Sequence, residues 1–415
     1  MTIDRLRALE MHRRARGKIG IFPTINVRNE EELGLAYLPG SVAPSLAIEE
    51  EPALSFELTG KGNRIAVVTD GSAITGLGDI SALASLPALE GKSLLYKLFG
   101  DIDAIPIALD SKITDDIIYA TQLIAPAFGA IALDDIAAPR TFSVLRELRN
   151  RLALPVFADD EQGMAVVVCA ALHNALTVTE RDRASCRVVV CGAGATGVAV
   201  THLLLKAGLT DIVVLNSTGI LGPENAVMDH VQEEMAARTN PRGVKGGLAE
   251  ALKGAHAFIG LSRGSILSAS MVRTMAPSPI LFPLALPDPE ISPEEAAAAG
   301  AAVIGTGLYD YDNVLQSLQA FPGIMRGVLD VQATMVSDGM LLAAARALAD
   351  TVDRRRLSAR TIVPELFSDE VTPRIAEAVA QKAIEEGQAR LLLPPNHVYE
   401  RSWQRLYGNS RRKSH

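Results

Sequence analysis

Residues 188–197 read Val-Val-Val-Cys-Gly-Ala-Gly-Ala-Thr-Gly, and this run limits the fold more than any other stretch of the chain. A β-branched strand runs straight into GxGxxG, and Val198–Ala207 then continues with helical spacing as far as Gly208. In such a strand–turn–helix unit the first glycine permits the tight turn and the second lets a pyrophosphate approach the backbone. The third lets helix and strand pack closely, and the free N–H groups at the helix start face the phosphate. Gly192, Ala193, Gly194, Ala195, Thr196 and Gly197 are therefore the expected dinucleotide cradle. Asn216 and Ser262, at the ends of the next two strands, are the further cofactor-side residues. An acid normally ends the second strand and holds the ribose 2′-hydroxyl. Asn216 stands there instead, with no Lys or Arg adjacent, so the motif leaves NAD and NADP both open.

The same strand–helix alternation extends in both directions. Ile65–Thr69, Ile105–Leu109, Ala130–Leu133 and Pro155–Ala158 read as strands, with helical spacing over 81–99, 114–124 and 139–151. A second series follows at Arg187–Cys191, Asp211–Leu215, Ala257–Leu261, Ile280–Ala285 and Ala302–Gly305. Alternation of this kind indicates an α/β chain of parallel strands joined by crossover helices. With 415 residues, two domains are expected. The division reads as 1–161, then a Rossmann-type domain over 162–390, then a basic tail over 391–415. Leu341–Ala349 and Pro373–Gly387 look helical. The tail carries Arg401, Arg405, Arg411, Arg412 and Lys413 and reads as a solvated extension or a flap on a partner subunit, with anion binding as the alternative.

Composition removes several classes. A net charge of −8 with only 4% aromatic residues lacks the basic stripes and stacking rings that nucleic-acid binding requires. The uncharged run Val188–Leu205 approaches membrane-span length but is interrupted by three glycines and His202, so no membrane segment is expected. Residues 1–18 hold six basic residues, but Asp4 and Glu10 interrupt them and no apolar stretch follows, so no secretory signal is read. Cys169, Cys186 and Cys191 form no CxxC pair and suggest a reducing cytoplasm. Neither GxSxG nor a Walker loop is present, and the cysteines sit in apolar runs where thiols are inert.

Acids cluster where the strands of the first series end: Asp70, Asp110, Asp134–Asp135 and Asp159–Asp160. Ligands of parallel sheets sit outside the carboxyl ends of strands, so these side chains could meet in one crevice. Packed carboxylates repel unless a cation compensates, and hard oxygen donors suit Mg²⁺ or Mn²⁺. The competing reading is that each aspartate caps the helix that follows it.

At this point the sequence resembles the malic enzymes in their short bacterial form. The matching segments are residues 9–40, VVTDGSAITGLGDI (67–80), LEGKSLLYKLFGDIDAIPI (89–107), LDDIAAP (133–139), FADDEQG (157–163), GAGATG (192–197), PDPEISPEEA (287–296) and FPGIMRG (321–327). They occur in family order over roughly residues 8–390. The resemblance implies oxidation of malate at C2, decarboxylation of the bound oxo acid and protonation of enolpyruvate. It further implies that Tyr37 is the general acid and Lys92 the base, with Asp159 beside it. Asp134, Asp135 and Asp160 would hold Mg²⁺ or Mn²⁺, and the assembly would be a homodimer or homotetramer with a site completed across subunits.

The departures from the family pattern fall on the substrate side. Leu286 stands where an asparagine is usual, Gln316–Ser317 where an Asn-Asn pair grips a carboxylate, Leu308–Tyr309 where Arg-Ser follows Thr-Gly, and Met164 where a threonine follows the metal motif. The first metal position is Asp134 rather than a glutamate. Each lost hydrogen bond to a charged carboxylate costs about 1.5–3 kcal/mol. A small 2-hydroxy acid is expected as substrate. The alternatives are a substrate other than malate, redox-neutral malolactic-like chemistry, or a silent nucleotide-binding homologue.

Overall fold

The computed structural model describes residues 4–408 and consists of two parallel sheets, each covered on both faces by helices. Three helices come first: α1 (Arg5–Ala15), α2 (Glu30–Ala36) and α3 (Val42–Glu50). None of them contains a buried residue. They form an arm tethered to the body at Lys18, whose backbone N–H donates to Glu90 and whose ammonium donates to the Pro87 carbonyl.

The first sheet follows, with β1 (Arg64–Thr69), α4 (Ala82–Gly100), β2 (Asp103–Ala108), α5 (Thr114–Ile124), β3 (Ala130–Leu133), α6 (Arg140–Arg151) and β4 (Val156–Ala158). Its strand order is β2-β1-β3-β4, all parallel. Strand periodicity divides the core. Ile65 and Val67 face one side with α4, while Ala66 and Val68 face the other with α5 and α6.

A five-residue wide turn, Asp159–Gly163, leads directly into α7 (Met164–Val178). Most of this helix is buried, in one core cluster with residues of both sheets, and only Met164, His173, Thr177 and Val178 reach water. Its apolar composition is what joins the two halves without a linker.

The second sheet contains β5 (Arg187–Cys191), α8 (Ala195–Lys206), β6 (Asp211–Asn216), β7 (Gly219–Ile220), β8 (Ala257–Gly260), β9 (Ile280–Pro283) and β10 (Val303–Ile304). Its order is β10-β9-β8-β5-β6-β7, with β7 the one antiparallel strand. That two-residue hairpin strand carries no alternation long enough to be read in sequence. The remaining long helices are α9 (Phe321–Asp330), α10 (Asp338–Asp350), α11 (Val371–Glu385) and α12 (His397–Tyr407).

The end of the chain differs from the solvated extension expected from its charge. Residues 397–407 form α12, which docks on α11 and buries Val398 and Ser402. Its arginines snorkel from this interface, and Arg405 reaches Asp330. Arg411, Arg412 and Lys413 lie outside the described residues. No helix among the described residues is long and apolar enough to cross a membrane. The three cysteines are free and buried, and burial pushes the Cys169 thiol up to about 11.

One buried ion pair ties these parts together. Arg326 on α9 bonds Asp330 at 2.8 Å and the Asn63 side chain ahead of β1 at 2.6 Å, while Arg405 of α12 approaches Asp330 at 3.4 Å. Removing one member leaves a buried guanidinium without its counter-charge, which costs about 3–5 kcal/mol. Asp330→Ala is therefore expected to lower stability by about that amount in urea titrations. A loss under about 1 kcal/mol would show that water already reaches the pair.

Candidate active site

Both sheets have a switch point where the chain changes direction across the sheet, between β1 and β3 in the first and between β5 and β8 in the second. Crevices open at the carboxyl ends of strands at such points.

In the first sheet the parallel register pairs Leu133 with Ala158, so the next residues, Asp134 and Asp159, emerge side by side. The wide turn after β4 adds Asp160. Gln162 Oε1 holds this turn by accepting from the Ala158 N–H at 3.1 Å and from Arg149 at 3.0 Å. One carboxylate oxygen each from Asp134, Asp159 and Asp160 lies within 4.8 Å of the others. Helix α4 supplies the cation. Lys92 Nζ is 3.0 Å from Asp159 Oδ1 and 3.1 Å from Asp134 Oδ1.

The electrostatics follow from these distances. Burial and the neighbouring carboxylates push Asp160 well above the usual carboxylate range. Burial likewise raises Asp159, and although Lys92 opposes the shift, the adjacent Asp134 reinforces it. Burial would lower Lys92, but the carboxylates of Asp134, Asp159 and Asp160 outweigh it and hold the amine well above its ordinary value. Three carboxylates thus face one ammonium, and a divalent cation suits both the charge deficit and the all-oxygen donor set.

Other expected positions behave differently. Asp135 lies outside the three-carboxylate group; its backbone is left-handed (φ 52°), its carboxyl accepts from Thr75, and burial with Asp134 raises it to about 7. Asp70 is satisfied by Ser72 and Arg140, and Asp110 is exposed, so neither joins the crevice. Tyr37 caps α2 on the arm, 65% exposed, with no hydrogen bond to Lys92 or to the acids.

In the second sheet, an added Cβ at Gly192 would meet the Leu261 carbonyl at 2.3 Å, and one at Gly197 the Gly192 carbonyl at 1.7 Å. Gly194 has open space, at the N-cap of α8 with no side chain capping the helix. Open space above free helix N–H groups fits a pyrophosphate. Asn216 shapes the β6–β7 turn. Its amide oxygen accepts from Thr218 and Asn225, and its amide nitrogen donates to the Val227 carbonyl and to Gln232, which itself bonds the Ala193 carbonyl. The Ser262 N–H donates to Glu290 Oε1 at 2.9 Å.

The three pocket positions converge. Leu286 packs at Gly307, whose carbonyl also accepts from Gln316 Nε2 at 2.6 Å, and Ser317 lies against Gly163 of the acidic turn. Sequence reasoning missed Tyr96, which donates to Asp159 Oδ2 at 3.2 Å, although its spacing of four from Lys92 placed it on the same helix face. It also missed Glu290, a buried carboxylate joining the ends of β8 and β9 by accepting from Ser262 and Ala285. Nothing in the local pattern of PDPEIS marks that glutamate as buried.

Known proteins resemble this chain in sequence and in fold. A family profile described as "Malic enzyme, N-terminal domain" matches residues 17–114, and "Malic enzyme, NAD binding domain" matches residues 161–384. A bifunctional malic/malolactic enzyme of Bacillus subtilis (strain 168) is 42% identical over 95% of this chain and 97% of its own length. An NAD-dependent malic enzyme of Geobacillus stearothermophilus is 41% identical over 90% of this chain and 78% of its own. The crystal structure of malic enzyme from Pyrococcus horikoshii Ot3 superposes with a TM-score of 0.94 at 40% identity, covering 98% of this chain and 96% of that one.

The two glycines separate ligand access from folding. Gly194→Ala is expected to keep the wild-type Tm and to weaken dinucleotide binding about tenfold in equilibrium dialysis, because only the ligand's space is filled. Gly197→Ala is expected to lower Tm sharply, because its Cβ has no room beside the Gly192 carbonyl. Equal Tm values for the two variants would contradict this geometry.

Proposed function

Because this chain belongs to the malic enzyme family, we propose that it oxidises and decarboxylates malate or a closely related 2-hydroxy acid, with NAD or NADP and either Mg²⁺ or Mn²⁺. The observation that carries this reading is the convergence of Lys92 with Asp134, Asp159 and Asp160 at the carboxyl ends of β3 and β4. In this reading residues 1–161 supply the acid–base and metal groups and residues 162–390 hold the dinucleotide.

Asp134 and Asp160 would hold the cation, and Asp135 joins them only if its carboxyl leaves Thr75. The bound cation and the nicotinamide supply, respectively, Lewis acidity at the substrate's C2 oxygen and a hydride acceptor. Lys92 Nζ takes the proton of the C2 hydroxyl. The amine must first be neutral, and once the carboxylate charge around it is offset, burial favours that form.

Tyr37 would return a proton to the enolate carbon, but its phenol lies on the exposed arm. The arm also exposes Leu6, Ile21, Phe22, Ile25, Leu35 and Leu38, with Ile21 at 92% and Phe22 at 81%. So many exposed apolar side chains on one arm support docking against a second copy, and we assign a homodimer in which Tyr37 serves the partner's crevice.

A second reading concerns the substrate. The Gln316 amide is already bonded to Gly307, and Leu286 is apolar, so these positions offer little to a second carboxylate. A 2-hydroxy acid that keeps the carboxylate lost as CO₂ but carries an apolar substituent beside it fits this lining better than malate does.

Purified protein with Mn²⁺, malate and either cofactor should release reduced cofactor and pyruvate. Absence of turnover with every 2-hydroxy and 2-oxo acid tried would overturn the enzyme reading. Lactate formation without free reduced cofactor would establish redox-neutral chemistry instead. Lys92→Ala should lower kcat about a thousandfold while leaving dinucleotide binding intact. Leu286→Asn combined with Gln316→Asn should lower the KM for malate about tenfold by restoring polar contacts; an unchanged KM would place both residues away from the substrate.

A further inference from the structure

Lys92 and Tyr96 stand four residues apart on α4, so one turn of helix presents both polar heads on the same side. They reach the same carboxylate from that side. Lys92 Nζ donates to Asp159 Oδ1 at 3.0 Å, and the Tyr96 hydroxyl donates to Asp159 Oδ2 at 3.2 Å. Tyr96 and Asp159 are both fully buried. Phe321 of α9 backs the pair, with the Tyr96 ring at 4.6 Å between centroids and Lys92 Nζ at 5.1 Å from its centre.

A phenylalanine would fill the same space against Phe321, so packing does not require the hydroxyl. A buried hydroxyl is unfavourable unless it is hydrogen-bonded, and its partner here is Asp159. With one donor on each oxygen, the Asp159 carboxylate is fixed in orientation toward α4. Asp160, by contrast, accepts no hydrogen bond from any described residue. The three carboxylates that share the crevice are therefore not equivalent, although all of them come within 4.8 Å of one another.

We propose that Tyr96 is a positioning residue that, with Lys92, occupies both oxygens of Asp159 and so keeps this carboxylate out of the metal's coordination shell, leaving the cation to Asp160 and to Asp134, which Lys92 holds by one oxygen only. The proposal rests on the metal-dependent reading above and deepens it. It gives a physical cause, the Tyr96 hydroxyl, to the division of Asp159 and Asp160 between base and metal that the family resemblance implies. Groups that orient catalytic and ligating side chains commonly change affinity or rate by ten- to a hundredfold when they are removed.

Tyr96→Phe in the full-length chain removes only the hydroxyl and keeps the ring. Two measurements read it: Mn²⁺ affinity of the cofactor-free protein, from the paramagnetic resonance signal of free Mn²⁺, and the separate values of kcat and KM. Released from its second donor, Asp159 Oδ2 can turn to the cation, so Mn²⁺ is expected to bind about threefold tighter or more. Lys92 loses its fixed partner, so kcat is expected to fall about tenfold with the KM for malate unchanged. Mn²⁺ affinity that is unchanged or weaker overturns the proposal, even if kcat falls. Wild-type behaviour of Tyr96→Phe with impairment only in Tyr96→Leu also overturns it, because that result assigns the ring to packing alone. The Mn²⁺ titration needs no turnover, so it decides the role of Tyr96 even if the oxidoreductase reading fails.

Discussion

Three aspartates crowded around a single lysine amine are the arrangement on which the rest of this structure depends. Taking carboxylates out of water is unfavourable, and placing them within 4.8 Å of one another adds repulsion. The fold tolerates this because Lys92 touches two of them and the sheet, the acidic turn and α4 together leave them no freedom to separate. A chain selected for stability alone would have no reason to keep such a group at the end of β3 and β4. In the function proposed above, the charge deficit is what a divalent cation, and an acid chelated by it, would offset.

The surrounding architecture serves this arrangement at longer range. The register between β3 and β4 sets Asp134 beside Asp159, and Gln162 winds the turn so that Asp160 follows them. Immediately after that turn, α7 passes between the two sheets, which makes the joint between the halves a buried helix. The glycine loop and the acidic turn are consequently parts of one packed body. The position of the open space over Gly194 relative to Lys92 is then set by core packing.

Much of the fold was legible along the chain. The strands at 187–191 and 130–133 and the helix at 114–124 coincide with what spacing and β-branching indicate, because a strand buried on both faces reads as a continuous apolar run and a half-buried helix as a 3.6-residue period. Of the groups that meet in the crevice, Asp134, Asp159 and Asp160 were marked by their place at strand ends, whereas Lys92, in the middle of α4, was marked only by family resemblance. The site was less legible at Asp135, where a left-handed backbone turns the carboxyl to Thr75, and at Asn216, whose amide shapes a hairpin turn. Tyr96 and Glu290 went unread because their importance lies in partners that are distant in sequence. The basic end of the chain was misjudged for a related reason: the charges are real, but Val398 and Ser402 bury one face of that helix against α11.

By itself the sequence determined the class of fold, the dinucleotide loop and the set of acids from which a metal site can be built. These follow from local rules: periodicity, the need for glycine at a crowded turn, and the chemistry of a carboxylate. Only the tertiary structure decided which of those acids meet, that Asp70 pairs with Arg140 instead, and that Lys92 and Tyr96 divide the two oxygens of Asp159 between them. Contacts of this kind depend on strand register and helix rotation, which many residues far apart in sequence fix jointly, so no local pattern records them.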